Sequence, residues 1–449
     1  MTIELADHGY VYVTDASALQ RAVEGLSSSR IIGVDTESDS FFSYKESCCL
    51  IQLTGEEGPD YIVDPLLLHD LSPLAPLMSD PRIVKVFQGA DFDIVSMKRD
   101  FGFQFETIFD TMLAAQAIGH ERFGLFDLVQ HFFGVTLNKK YQRHDWSSRP
   151  LREEHLEYAR LDSHFLPTLK NLLEAEAQAK GRMEMLNEEF GLLETREWTG
   201  RDFNPNDCIR MKGASSLQPE QLRVLRSLYT LRDSIAKQKN RPPFKVWGND
   251  VCLKLARELP TDRDSLKKAL GEGHFVGRRY GNDVLEALQT GIADTSPPPV
   301  PVKVKRKGAG VVPPFSRDDE PLLSHLKKWR NKRMEEEGVG AGMVVNNNIL
   351  KSVAALRPTA ASQLSPIPDI RNWQLEAYAD LLVEAVAAWK DKKPAEGEPS
   401  GSGRRRRRRR RKKTKAGLEA DTEDSSIQSV SNNPPSEAPE PPDNGPVDA

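Results

Sequence analysis

Ile31-Ile32-Gly33-Val34-Asp35-Thr36-Glu37 decides how the chain is read. A short apolar run of strand type ends at Val34, and two acids spaced two apart follow it directly. Successive side chains of a strand alternate between faces, so Asp35 and Glu37 point the same way and two carboxylates converge at one position of a sheet. Alone, an Asp-x-Glu pair is more often a solvated face than a site, so its meaning depends on partners elsewhere in the chain.

Outward from that strand the pattern stays α/β. Cys49 to Thr54 and Asp60 to Val63 look like neighbouring strands, and Val84 to Phe87 is followed by a helical stretch through Lys98. Residues 1 to about 175 therefore predict an α/β sandwich with a mixed sheet. In Val86 to Ile94 the strand ends, turns at Gly89 and enters a helix with Asp91 and Asp93 in its first turn. A helix dipole accounts for one such acid without any chemistry, and Asp91 reads as an N-cap competing with Asp93 for a functional role. Tyr158 and Asp162 lie four apart in a helical context and share a face. Asp110 fits a bracing or a capping role equally well. A single histidine is more often structural than a ligand, so His144, His155 and His164 are given no chemistry.

Clustered carboxylates raise one another's pKa unless cations neutralise them, and hard oxygen ligands suit Mg²⁺ or Mn²⁺. In a two-metal site roughly 4 Å across, one ion activates a water and the other stabilises the leaving oxygen. Close to such a site Lys139, Lys140, Arg143 and Arg149 could bind phosphates, and Tyr141 or Trp146 could stack a terminal base; the bland alternative is an ordinary solvated surface.

Beyond Arg182 strand signals fade. Leu217 to Lys239 carries Leu222, Leu225, Leu228, Leu231 and Ile235 at helical spacing. Asp294 to Ser316, with Pro297 to Pro299, Pro313 and Pro314 around a basic Lys303 to Lys307 patch, reads as a linker. Past it the chain repeats itself at a constant offset (330 − 232 = 98): Arg232 with Arg330, Val246 with Val344, Asn249 with Asn347, Pro260 with Pro358 and Tyr280 with Tyr378. One gapless shift that matches apolar anchors, a turn proline and polar residues predicts two copies of one fold.

From about Asp391 the composition is Glu, Gly, Ser, Pro and charge, which predicts disorder. The net charge of −4 over 449 residues conceals segregation: Arg404 to Arg411 is unbroken arginine, continued by Lys412, Lys413 and Lys415, whereas Ala416 to Ala449 holds acids and no bases. Such a run attracts RNA, ribosomes or anionic membrane alike. Cys48, Cys49, Cys208 and Cys252 form no CxxC pair, which argues against structural zinc and a disulfide framework. The start of the chain lacks a basic-then-apolar leader and no segment approaches the ~18 apolar residues of a membrane span, so the sequence predicts a soluble, cytoplasmic protein.

Val34-Asp35-Thr36-Glu37, Phe87 to Ile94 with Asp93, and Tyr158-Ala159-Arg160-Leu161-Asp162 resemble the three motifs of the DEDDy exonuclease superfamily. Lys139-Lys140-Tyr141-Gln142, Asp145-Trp146 and Arg149-Pro150-Leu151 resemble the ribonuclease D branch rather than a polymerase proofreading domain. The repeats resemble HRDC domains through Leu231-Arg232-Asp233, Asn249-Asp250, Pro260 and Tyr280-Gly281, and more loosely through Trp329-Arg330, Asn347, Pro358, Trp373 and Tyr378. The resemblance implies an α/β ribonuclease H-like exonuclease domain with a mixed central sheet (1–182), a first HRDC-like all-α domain with its connecting segment (183–293), a Pro-rich basic linker (294–316), a second HRDC-like domain (317–390) and a disordered tail (391–449). It further implies that Asp35, Glu37, Asp93 and Asp162 hold two Mg²⁺ or Mn²⁺ ions, and that Tyr158 positions or helps deprotonate the attacking water. By the same resemblance RNA would be shortened from its 3′ hydroxyl end to nucleoside monophosphates, with transfer RNA precursors the substrate typical of the family. Lys139, Lys140, Tyr141, Trp146 and Arg149 bind RNA on this reading, and the protein is a monomer. Gln88 departs from the histidine common in relatives and predicts only a local change. A DNA exonuclease and a catalytically silent RNA-binding scaffold are the competing readings.

Overall fold

Residues 7–200, 202–300 and 312–389 are described by a computed structural model. The expectations for the tail, its arginine run and acidic end included, and for the basic middle of the linker lie outside the described residues.

Six strands build one sheet: β1 (Tyr10–Val13), β2 (Ile31–Ser38), β3 (Cys48–Thr54), β4 (Asp60–Val63), β5 (Val84–Phe87) and β6 (Ile108–Asp110), in the order β1-β4-β3-β2-β5-β6. β3 runs antiparallel to both its neighbours and the remaining pairs are parallel, so the sheet is mixed as the sequence predicts. All seven residues of β3 are buried, which explains its continuous apolar reading: helices cover both of its faces. Those layers comprise α1 (Ala16–Leu26), α2 (Ala75–Ser79), α3 (Asp91–Phe101), α4 (Thr111–Ile118), α5 (Leu125–Phe133), α6 (Glu153–His164), α7 (Leu166–Ala179) and α8 (Met183–Glu194).

The first repeat contains α9 (Pro219–Gln238), α10 (Pro243–Val246), α11 (Asn249–Glu258), α12 (Arg263–Leu270) and α13 (Phe275–Ala293). The second contains α14 (Glu320–Glu337), α15 (Ala341–Val344), α16 (Asn347–Leu356) and α17 (Asn372–Ala388). The 98-residue offset is also an offset of contacts. Arg232 donates to the Trp247 carbonyl and to Asn249 Oδ1, and Arg330 donates to the Val345 carbonyl and to Asn347 Oδ1. Leu259 and Arg357, which end matching helices, share a left-handed backbone at φ 48° and 49°. Lys239 donates to the Tyr280 hydroxyl, whereas at the shifted positions the Tyr378 hydroxyl donates to Glu337, so one cross-tie survives with its polarity reversed.

The two copies have different attachments. The first encloses its own core around Leu225, Leu228, Cys252 and Val284. The core of the second, around Leu323, Leu350 and Leu382, is continuous with that of the sheet. α8 makes the join. This helix opens the connecting segment expected from residue 183, and its Met185, Leu186, Phe190 and Leu193 are buried in the sheet's core, with the Phe190 ring 4.9 Å from that of Phe109. From its other side Glu188 accepts from the Asn372 and Trp373 backbone amides, and Glu189 pairs with Arg371 at 2.9 Å. An α8 carboxylate thus satisfies the open amides at the start of α17. None of the described helices is long and apolar enough to cross a membrane.

α6 lies tightly across β2. A Cβ on Gly33 would stand 2.7 Å from the Ser163 carbonyl oxygen, with the Leu166 and Pro167 side chains at 3.0 and 3.1 Å. Gly33→Ala should therefore destabilise the fold by about 1–3 kcal/mol through overpacking, measured by urea unfolding; unchanged stability would mean that α6 does not rest on β2 there.

Candidate active site

β2 places Asp35 and Glu37 on one face, and α6 places Tyr158 and Asp162 on one stripe, as their spacings predict. Packing of α6 over β2 brings these elements together: single carboxylate oxygens of Asp35, Glu37 and Asp162 all lie within 4.8 Å of one another. Asp93 joins from the first turn of α3, where it is 8 % exposed and accepts a hydrogen bond from the Thr36 hydroxyl. It stands outside the three-oxygen cluster, yet its charge acts on Asp35, Glu37 and Asp162.

The alternatives at α3 and β6 are resolved by contacts. Asp91 does not cap the helix; it is exposed and pairs with Arg196 at 2.9 Å. Asp110 caps α4 through the Met112 and Leu113 amides and also accepts from the Gly89 and Ala90 amides, so one buried carboxylate fixes the turn that delivers Asp93. Gln88 ties the end of β5 to its surroundings, donating to the Phe123 carbonyl and accepting from Thr111.

Burial raises the pKa of Asp35 and Glu37 well above the carboxylate range, and neighbouring acids add to the effect. Asp162, crowded by protein and by the charge of Asp93, is pushed up to about 7. Asp93 is likewise pushed up to about 7 by burial, although the Thr36 hydrogen bond opposes the shift. The neighbouring charges that push these four groups upward are other acids, Asp35, Asp93, Asp110 and Asp162. A set of hard oxygen donors that raise one another's pKa in this way fits divalent cations. Asp35, Glu37 and Asp162 are the residues that would hold them.

Tyr158 is 8 % exposed, with its ring stacked at 6.0 Å on Trp146 and edge-on at 5.8 Å to Tyr141. Burial first, then the charges of Asp162, Glu37 and Asp35, hold its phenol well above the ordinary tyrosine range. The hydroxyl is therefore a proton donor held at a fixed position.

The residues expected to contact RNA fall into two groups. Lys140 and Tyr141 line a groove of about 200 Å³ shared with Tyr158, Leu161 and Asp162, and exposed Lys139 lies 4.8 Å over the Phe126 ring. Trp146 and Arg149 are placed differently. The Trp146 indole is 1 % exposed and offers no face to a base. Arg149 grips fully buried Asp64 at 2.6 and 2.8 Å and donates to the Trp146 and Cys49 carbonyls. Both support the loop behind Tyr158. The histidines stay outside the carboxylate cluster: the rings of His144 and His155 pack at 4.0 Å, and His164 pairs with buried Asp60. All four cysteines are buried and free.

Sequence patterning gives no sign of what the loop after Glu37 does. Tyr44 donates from its hydroxyl to Asp233 and from its backbone amide to Asn240 Oδ1, clamping the loop to the first repeat. A contact between residues nearly 200 positions apart carries no periodic signal.

The arrangement is an α/β domain with converging acids of metal-ligating type, followed by two helical repeats. Residues 10–178 match the 3′-5′ exonuclease family model, and residues 221–288 and 319–386 each match the HRDC domain model. Ribonuclease D of Gluconacetobacter diazotrophicus is 29 % identical over 82 % of this chain and 91 % of its own length. Protein RRP6-like 2 of Arabidopsis thaliana is 32 % identical over 62 % of this chain, and the chain spans about a third of the length of the RRP6-type relatives it matches. Among solved structures, the catalytic core of RRP6 from Trypanosoma brucei superposes with a TM-score of 0.58 at 29 % identity, covering 66 % of this chain and 83 % of that one. Escherichia coli RNase D, at 24 % identity, shares the fold with a TM-score of 0.63 over 84 % of this chain and 98 % of that one. The chain is thus similar to ribonuclease D in its order of one 3′-5′ exonuclease match and two HRDC matches, and exonucleases with this acidic motif set use divalent metals.

Two outcomes test the site. For Asp93 and Asp162 the folded pKa exceeds the unfolded value, so the stability they confer is present at low pH and lost as pH rises from about 4 through about 7. Without metal, melting temperature should fall more steeply over that range in the wild type than in Asp162→Asn, and added Mg²⁺ should flatten the wild-type slope; parallel slopes would show that Asp162 carries no such strain. Arg149→Ala should cost about 3 kcal/mol or more of stability because it strands Asp64; a stable variant with weakened RNA binding would instead make Arg149 a phosphate ligand.

Proposed function

We propose that this protein is a metal-dependent 3′ to 5′ exoribonuclease that hydrolyses RNA from its 3′ hydroxyl end to nucleoside monophosphates, with transfer RNA precursors as the first substrates to try. The observation that carries the reading is the convergence of Asp35, Glu37 and Asp162 oxygens within 4.8 Å, with Tyr158 lining the same groove as Asp162. The exonuclease match over residues 10–178 and the ribonuclease D relatives support it.

In this reading Asp35, Glu37 and Asp162, with Asp93 as a fourth carboxylate, bind two Mg²⁺ or Mn²⁺. Bound there, the ions supply charge neutralisation, an activated water and stabilisation of the departing 3′ oxygen. The chain's other contributions are positional. Thr36 and Asp110 hold Asp93 and its helix, and the Trp146 and Tyr141 rings fix Tyr158. Tyr158 donates its hydroxyl hydrogen to the water or to a phosphate oxygen, orienting one toward the other. Lys140, in the groove that leads to Asp162, contacts the phosphate backbone.

Purified protein and Asp35→Asn are compared on 5′-labelled RNA with a 3′ overhang, in Mg²⁺, Mn²⁺ or chelator, beside DNA of the same sequence. A metal-dependent ladder shortening from the 3′ end of RNA, absent in Asp35→Asn, is the expected result. Faster shortening of DNA would turn the reading to a DNA exonuclease, and intact substrates throughout would leave a binding scaffold. Tyr158→Phe should keep RNA affinity while slowing cleavage by about 100-fold, the scale of a misplaced reactant; a wild-type rate would remove Tyr158 from the mechanism.

A further inference from the structure

Where the first HRDC domain meets the loop after Glu37, two phenylalanines touch without being buried. Phe41 comes from that loop and Phe244 from α10; their ring centroids are 6.4 Å apart, inclined at 75°, and they remain 41 % and 39 % exposed. Beside them the Lys245 ammonium lies 3.6 Å from the centroid of the Phe42 ring. An interdomain contact serving stability alone would bury its rings, since the benefit comes from apolar area removed from water. Here stability is supplied elsewhere, by Tyr44 clamped to Asp233 and Asn240, and the two rings are left open.

The surrounding charge selects the occupant. Residues 237–245, Lys-Gln-Lys-Asn-Arg-Pro-Pro-Phe-Lys, hold four cations and no acid, with Lys237, Arg241 and Lys245 exposed. Asp145 is the acid that acts on Lys245. Open aromatic faces among fixed cations are the recognition chemistry of a single-stranded nucleic acid: every base has a face to stack, and cations track the backbone. An apolar protein partner would not call for the cations, and a phosphate alone would not call for the rings. Phe41 lies four residues beyond Glu37, so the patch is covalently close to the carboxylates.

We propose that Phe41 and Phe244, with Lys245 and Arg241, form a two-domain stacking platform for the single-stranded part of the RNA upstream of the 3′ terminal nucleotide. The proposal rests on the exoribonuclease reading for its ligand and adds the site that grips the strand. It gives the first HRDC domain a definite role, since the platform exists only while that domain is seated on the loop.

The test uses the full chain in two assays. In chelator, where nothing is cleaved, equilibrium binding of a 12-nucleotide single-stranded RNA is compared for wild type, Phe41→Leu/Phe244→Leu and Phe244→Trp. Stacking losses of the usual size predict about 10- to 100-fold weaker binding by the double leucine variant and retained binding by Phe244→Trp. Lys245→Gln should lower the slope of log affinity on log salt by about 0.7. With Mg²⁺, the leucine variant should cleave a dinucleotide at the wild-type rate while shortening the 12-mer more slowly. Equal binding by wild type and leucine variant overturns the platform, as does an equal loss on dinucleotide and 12-mer, which would mean a disturbed Glu37 loop. If the wild type fails to cleave yet the binding difference stands, the exonuclease reading falls and the platform remains; if the wild type binds no RNA, both fall.

Discussion

The site depends on the crossing of α6 over β2. Without a side chain at Gly33, the Ser163 carbonyl approaches the strand more closely than any Cβ allows, and this sets Asp162 against Asp35 and Glu37. The far side of the crossing is pinned by polar contacts: Thr54 bonds to Ser163 and Asp60, and Asp60 accepts from Arg160 and pairs with His164. One helix is thus fixed by a steric allowance on one side and a buried charge network on the other. Its remaining face is free to present Tyr158 and Asp162.

That geometry works against the electrostatics of the metal-free protein. Acids crowded together at partly buried positions favour their protonated forms, and the fold has to supply the energy that keeps them there. It does so with contacts that are ordinary in isolation. Thr36 holds Asp93, Asp110 accepts four backbone amides around the start of α3 and α4, and the Tyr141 and Trp146 rings fix Tyr158. Arg149, anchored on Asp64, stiffens the loop carrying Trp146.

The two HRDC domains show how one fold is put to two uses. Both keep the arginine that ties a loop carbonyl to an asparagine at a helix start. The second is built into the exonuclease core through α8 and so acts as part of the scaffold. The first keeps a core of its own and reaches the exonuclease domain at the loop leaving Glu37, where Tyr44 meets Asp233.

Much of this protein was legible in its sequence because the signals are local. Alternation along Ile31 to Glu37, the four-residue spacing of Tyr158 and Asp162, and the 98-residue repeat each follow from the period of a strand, a helix or a duplicated unit. Side-chain type alone left Asp91 and Asp93 in competition, and it gave Trp146 and Arg149 the look of RNA ligands. Tertiary contacts separated them: Arg196 draws Asp91 outward, Thr36 draws Asp93 inward, and Asp64 takes Arg149. The sequence by itself determined which residues can lie on a common face, since local backbone geometry sets that. Which of them meet, and which are turned to supporting work, was decided by packing, because burial and partner choice depend on segments far apart in the chain.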